Sequence, residues 1–184
     1  MRFSLVLFFF IFHFYSVGAQ QVLPARFVTL SDSFGLQWPG MERGDQRVKF
    51  YEPEAVLGES FALGIHQPKE KYRVLVLFKP EGQPPIPHVK ATLRANHFSD
   101  NTDESLVAIH TFTEEGLEPY GADWGAVYYF RPKPALPAYR DCQMVSLFKL
   151  DVGTVHLLYL FDDFSPEVEE MVWNPVFEAT VAEN

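Results

Sequence analysis

The residues best suited to chemistry surround one aromatic stretch in the second half of the chain. Residues 118–130 have the sequence EPYGADWGAVYYF, in which two glycines leave the ring of Trp124 room to project. An aromatic ring stacks on the apolar face of a sugar, while charged side chains bond its hydroxyls. Burial of Trp124 at one end of the core is the structural alternative. The stretch and the loop that follows it predict a ligand site formed by Tyr120, Asp123, Trp124, Tyr139 and Arg140.

A second set of candidates is acidic. Asp100, Asp103 and Glu104 lie close together in the sequence, and calcium binds clustered carboxylate oxygens. The segment lacks the fixed ligand positions and the glycine of an EF-hand loop. These acids therefore predict a weak extracellular calcium site, a solvated loop or a surface for a basic macromolecular partner, and no other cofactor is expected.

Motifs for catalysis are incomplete. Ser60 in GESFA is one residue short of a nucleophile elbow and opens an alternating, strand-like segment instead of a helix. Three histidines lie in predicted strands without the spacing of helical zinc motifs, namely His66, His110 and His156. A glycan hydrolase or lyase needs several polar side chains in one cleft. The candidates for that role are Glu115, Glu118, Asp123, His97 and Arg140.

The charge is unevenly distributed along the chain. The 15 Lys and Arg against 24 Asp and Glu give a formal charge of -9, which argues against a nucleic-acid partner. Residues 20–94 hold 10 basic and 8 acidic residues, and residues 95–184 hold 4 and 16. Cys142 is the one cysteine, so no disulfide can form within the chain, and a small buried hydrophobe is its expected role.

The first nineteen residues have the pattern of a secretory signal peptide. Arg2 precedes the 13-residue apolar run Phe3–Tyr15, and Val17 and Ala19 have the small-residue spacing of a cleavage site. The run is short for a membrane span, which needs about 20 residues. The sequence therefore predicts a signal peptide over residues 1–19, a single mature domain over residues 20–184, and a secreted or periplasmic location without a later membrane span.

Short segments of alternating or continuous apolar character must position these residues. Such segments predict about ten strands, at residues 26–30, 47–51, 60–67, 72–78, 88–98, 105–113, 126–130, 143–150, 155–161 and 176–181. The sequence DVGT at residues 151–154 predicts a hairpin turn, and residues 165–172 predict one short helix. The expected fold is all-β, an antiparallel β-sandwich, with a closed lipocalin-like β-barrel as the alternative.

Export, an all-β fold and incomplete catalytic motifs together favour a non-catalytic binding or accessory domain. Binding loops on a rigid sandwich are a common use of this scaffold. A carbohydrate or an envelope protein is the expected ligand. The alternatives are a secreted glycan-active hydrolase or lyase, and a barrel that carries a small apolar ligand. Oligomeric state does not follow from the sequence.

Overall fold

The computed structural model describes residues 23–38, 48–67, 72–80, 87–102, 107–163 and 175–177. The helices are α1 (Ala25–Phe34), α2 (Pro87–Phe98) and α3 (Glu114–Leu117), followed by a 3-10 turn at Glu118–Tyr120. The strands are β1 (Leu36–Gln37), β2 (Lys49–Tyr51), β3 (Leu63–Gln67), β4 (Tyr72–Pro80), β5 (Ala108–Thr111), β6 (Trp124–Phe130), β7 (Asp141–Lys149), β8 (Gly153–Phe161) and β9 (Val176–Phe177).

Seven strands form one antiparallel sheet in the order β2-β3-β4-β8-β7-β6-β5, and β1 pairs with β9 in a second, two-stranded sheet. The mostly-β, antiparallel, two-sheet prediction is therefore confirmed. The large sheet is open, because β2 and β5 lie at opposite edges without pairing to each other. The closed-barrel alternative is wrong for the part of the chain that the structure describes.

The inner strands β4, β8, β7 and β6 of the large sheet are buried on both faces. On one face, apolar side chains of β3, β4, β7 and β8 pack against Phe27 and Phe34 of α1 and against Leu36 and Phe177 of the small sheet. This stacking of the small sheet on the large one gives the sandwich-like arrangement. On the other face, α2 packs its buried side chains against β6 and β7. Strand β8 is buried along its whole length, as the mostly apolar run at residues 155–161 predicts.

Two of the predicted strands are helices. Residues 88–98 alternate in polarity, but they form α2, in which Ala91, Ala95 and Phe98 face the sheet. Spacings of four and three place these side chains on one side of a helix. Residues 26–30 belong to α1, whose buried side chains are Phe27, Ser31 and Phe34. In both segments the helical spacing coincided with a short run of alternation.

The predicted hairpin at residues 151–154 is confirmed, since this turn joins β7 to β8. Asp151 adopts a left-handed conformation with φ 62°, which aspartate tolerates better than most residues. The predicted helix at residues 165–172 and the predicted signal peptide at residues 1–19 lie outside the described residues. Among the described helices, none has the length and apolar character needed to cross a membrane.

Candidate functional site

A buried serine–histidine pair lies beneath α2. Ser146 on β7 and His156 on β8 are directly opposite each other in the ladder. The Oγ atom of Ser146 lies 2.8 Å from Nδ1 of His156. Both side chains are buried on the face that α2 covers. The cross-strand register therefore satisfies two polar groups that burial would otherwise leave unpaired.

Three charged side chains meet beside this pair. The carboxylate of Glu59 accepts hydrogen bonds from Nζ of Lys79 on β4 and from Nη1 of Arg94 on α2. The side chains of Glu59, Lys79 and Arg94 are 10%, 29% and 24% exposed. Such partial burial strengthens their attraction relative to a surface ion pair. The contacts join a turn, a strand and a helix through one carboxylate shared by two cations.

The turn that presents Glu59 is tight and strained. Val56 and Glu59 exchange two backbone hydrogen bonds of 3.0 and 2.9 Å. Leu57 and Gly58 between them have φ values of 54° and 77°. A left-handed conformation is unfavourable for leucine by about 1–2 kcal/mol, and such strain often accompanies functional sites. The carbonyl of Leu57 also accepts a hydrogen bond from Nε2 of His97 at 2.9 Å, so the turn holds α2 at two points.

A cavity of about 410 Å³ opens between α2 and β8. We call it the α2 cleft, and its lining residues are Lys90, Ala91, Leu93, Arg94, His97, Thr154 and His156. Lys79 lies directly opposite Thr154 in the β4–β8 ladder. The cleft is thus bordered by cationic and hydrogen-bonding side chains, with a short apolar wall from Ala91 and Leu93.

The electrostatics keep His156 uncharged. Burial, and then the positive charges of Arg94 and Lys79, lower the pKa of His156 to about 3. Burial also lowers the pKa of Arg94, although arginine remains charged under all ordinary conditions. The cleft therefore combines the guanidinium of Arg94 and the ammonium of Lys90 with the neutral imidazole of His156 and the hydroxyl of Thr154. Such a donor set is chemically suited to an anion, because each of these groups can donate a hydrogen bond to oxygen.

The predicted ligand residues near residue 120 have structural contacts. Asp123 accepts a hydrogen bond of 2.6 Å from the backbone N–H of Leu150 and so holds the β7–β8 turn. Tyr120 is half-buried against the core on the α1 face of the sheet, and burial raises its pKa. Trp124 is half-buried against the core on the α2 face, with its ring 6.3 Å from that of His88.

Tyr139 and Arg140 lie at the other end of the sheet. The β6–β7 ladder pairs Trp124 with Phe148 at one end and Phe130 with Cys142 at the other. Six residues of extended chain, at about 3.4 Å each, separate these ends by roughly 20 Å. Arg140 is exposed, and its Nε donates a hydrogen bond to Asp141 at 2.7 Å. Tyr139 is half-buried, and burial raises its pKa. The structure therefore does not bring the five predicted ligand residues together.

The acidic and catalytic candidates are also dispersed. Glu115 and Glu118 are exposed near α3, and His97 borders the α2 cleft. Asp123 and Arg140 lie at opposite ends of the sheet.

Of the three acids predicted to bind calcium, Asp100 is exposed, while Asp103 and Glu104 lie outside the described residues. Among the residues that the structure does describe, no three His, Cys, Asp or Glu side chains come close enough to hold a metal ion.

A larger groove of about 760 Å³ lies at the end of the sheet where Asp100, Arg131 and Asp141 are found. Asp100 and Arg131 are exposed, and this mixed-sign lining favours no ligand class. The α2 cleft is the better candidate because its charged groups are partly buried and joined to one another.

Sequence reasoning missed Glu59, Lys79 and Arg94, and treated His156 as an isolated histidine. The predicted hairpin turn at residues 151–154 is enough to predict one contact, between Ser146 and His156. Pairing Lys149 with Gly153 in that hairpin places Ser146 opposite His156. The ion-pair network has no such signal in the sequence, because its members come from three separate elements.

Comparison of this chain with family models, with curated proteins and with solved structures finds no match.

Proposed function

We propose that this protein is an exported, non-catalytic binding domain whose α2 cleft takes an anionic ligand. The carrying observation is the sharing of the Glu59 carboxylate by Lys79 and Arg94. Two positive charges against one negative charge leave an excess of positive charge at the cleft. A partly buried cation attracts an incoming anion more strongly than one in bulk water, because solvent screens it less.

The Ser146–His156 pair supports binding more than nucleophilic catalysis. A general base works best with a pKa near the operating pH, and the pKa of His156 is about 3. Ser146 is completely buried, so a substrate cannot approach its hydroxyl without rearrangement. Glu59 bonds the two cations and not the imidazole, which leaves His156 without the orienting carboxylate of a catalytic triad.

Export is the second part of the proposal. It is supported by Arg2, by the apolar run Phe3–Tyr15 and by the small residues that follow it. Expression of the full chain with a C-terminal tag, followed by mass spectrometry of the released protein, tests this part. The expected product begins at Gln20, and retention of residues 1–19 on the released protein would contradict it.

Small anions test the cleft directly. We expect acetate, succinate and inorganic phosphate to perturb the backbone amide NMR signals of residues 91–97 and Thr154 in the protein spanning residues 20–184. A ligand that binds only the native state also raises the melting temperature as its concentration exceeds Kd. Signals that do not move, or that move equally over the whole surface, would contradict an anion site in the α2 cleft.

A matched pair of arginine variants identifies the group responsible. Arg94→Gln removes the guanidinium of the cleft, and Arg140→Gln removes an exposed guanidinium at the other end of the sheet. We expect Arg94→Gln to lose the anion response and Arg140→Gln to keep it. Equal responses from the two variants would refute the role of Arg94. The unmodified protein gives the NMR map even if Arg94→Gln folds poorly.

A further inference from the structure

The outer surface of α2 carries apolar side chains where a helix on a protein surface usually carries polar ones. Val89 is 48% exposed and Leu93 is 63% exposed. Their spacing of four residues places them in one row along the helix. Ala91, Ala95 and Phe98 cover the sheet from the opposite side, so the exposed row contributes nothing to the core beneath the helix.

This apolar row adjoins the polar side of the cleft, where Lys90 and Arg94 carry the positive charge. Lys90, Arg94 and His97 follow each other at spacings of four and three on the neighbouring side of α2, and all three line the cleft. Leu93 belongs to both surfaces, since it is exposed and also lines the cleft. A ligand that enters the cleft therefore meets cationic groups and an exposed aliphatic side chain within one helical turn.

The lining of the cleft favours a peptide over a sugar. Sugar rings stack on flat aromatic faces, whereas the apolar part of the lining consists of Ala91 and Leu93. Trp124 lies next to His88, which is about 120° from Arg94 around the axis of α2 at about 3.6 residues per turn. The nearest described tryptophan on this face is thus on a different side of the helix from the cleft.

We infer that the α2 cleft and the Val89–Leu93 row together bind an acidic peptide segment of another protein. The inference rests on the proposed anion site and specifies its ligand. A carboxylate of the segment enters the cleft toward Arg94, and a neighbouring aliphatic side chain packs on Leu93 and Val89. Charge complementarity selects the carboxylate, and the exposed aliphatic row selects the apolar neighbour.

A peptide array tests the inference with residues 20–184 as the probe protein. Its peptides pair one Glu or Asp with one Leu, Ile or Val at every spacing from one to four, and each has a twin with Gln or Asn in place of the acid. We expect some acidic peptides to bind about tenfold or more tightly than their amide twins. Acidic and amide peptides that bind alike would overturn the inference.

Two exposed leucines provide the matched variants. Leu93 is 63% exposed in the Val89–Leu93 row, and Leu150 is 50% exposed in the β7–β8 turn. Leu93→Ser should weaken the selected peptides by about tenfold, and Leu150→Ser should leave their affinity unchanged. Neither substitution opens a core cavity, so both variants are expected to fold. Equal effects of the two substitutions would overturn the role of the apolar row.

The outcomes separate this inference from the proposed function. Arg94-dependent binding of acetate or succinate without any acid-selective peptide refutes the peptide ligand and leaves the anion site in place. Arg94-dependent binding of an oligogalacturonate that is insensitive to Leu93→Ser assigns the cleft to an acidic glycan and also refutes the peptide ligand. Failure of small anions, peptides and glycan alike refutes the anion site itself.

Discussion

Replacing His156 by glutamine is expected to remove much of the acid sensitivity of the fold. His156 is buried beside Arg94 and Lys79, which together with burial lower its pKa to about 3 in the folded protein. In the unfolded chain its pKa returns to about 6.5. Between these two values the unfolded chain binds a proton that the folded protein does not bind. The free energy of unfolding must therefore fall as the pH falls through this window.

The size of the effect follows from the two pKa values. One pKa unit corresponds to about 1.4 kcal/mol, so the full difference between about 6.5 and about 3 is worth about 5 kcal/mol. The contribution of neutral His156 to the free energy of unfolding is complete above its pKa in the unfolded chain, about 6.5. It is lost entirely only below its pKa in the folded protein, about 3. At about pH 5 the protein has lost about 2 kcal/mol of it relative to about pH 7.5. Because Glu59 bonds the two cations and not the imidazole, it does not raise the pKa of His156 back toward its ordinary value.

Urea unfolding at a series of pH values between about 7.5 and about 5 measures this loss. The amide of His156→Gln can still bond Ser146 but does not titrate. His110→Gln is the control, because His110 is exposed on the edge strand β5. We expect the wild type and His110→Gln to lose about 2 kcal/mol more than His156→Gln over this range. Identical pH dependence in all three proteins would refute the buried, neutral state of His156.

Four further substitutions or probes test the packing around the cleft and the core. Glu59→Gln should lower the free energy of unfolding by about 1–3 kcal/mol in urea titrations yet tighten anion binding by calorimetry, because it raises the positive charge at the cleft; a parallel loss of both would contradict this. Gly64→Ala would place a Cβ 2.2 Å from Cζ of Tyr51, so urea unfolding should show a loss of about 1–3 kcal/mol, and no loss would mean that the ring moves freely. Cys142 is buried with a raised pKa, so a thiol reagent should react with it only after unfolding, and rapid labelling of the native protein would be inconsistent with its burial. Trp124→Ala should lose about 2 kcal/mol, less than the roughly 3–5 kcal/mol of a fully buried aromatic, whereas an unchanged melting temperature would instead indicate an exposed platform.

The strands could be predicted because their sequence pattern and their burial agree. The predicted runs at residues 72–78 and 155–161 are mostly apolar, and they form central strands of the sheet with buried side chains on both faces. Helix α2 could not be predicted from alternation alone, since Val89 and Leu93 are exposed while Ala91 and Ala95 are buried. Composition held the better signal, because this segment combines Ala, Leu, Lys and Arg with few β-branched residues and begins at proline.

Only part of the candidate site could be predicted from the sequence. The Ser146–His156 contact follows from hairpin register once the turn at residues 151–154 is placed. The bridge from Glu59 to Lys79 and Arg94 depends instead on how a turn, a strand and a helix pack in space. No local pattern encodes such packing. Within residues 118–130, Asp123 accepts a hydrogen bond from the backbone of Leu150, and Tyr120 and Trp124 pack against the core.

The uneven charge of the chain has a spatial counterpart at the cleft. Its three cations, Lys79, Lys90 and Arg94, all come from residues 20–94, where 10 basic residues face 8 acidic ones. An anion approaching the whole molecule meets a formal charge of -9, whose repulsion is screened beyond about 8 Å at physiological salt. Within the cleft it meets cations that are partly shielded from that screening. For the proposed peptide ligand, we therefore expect selection of segments that place a carboxylate deep enough to reach Arg94 and also bring an apolar side chain into contact with Leu93.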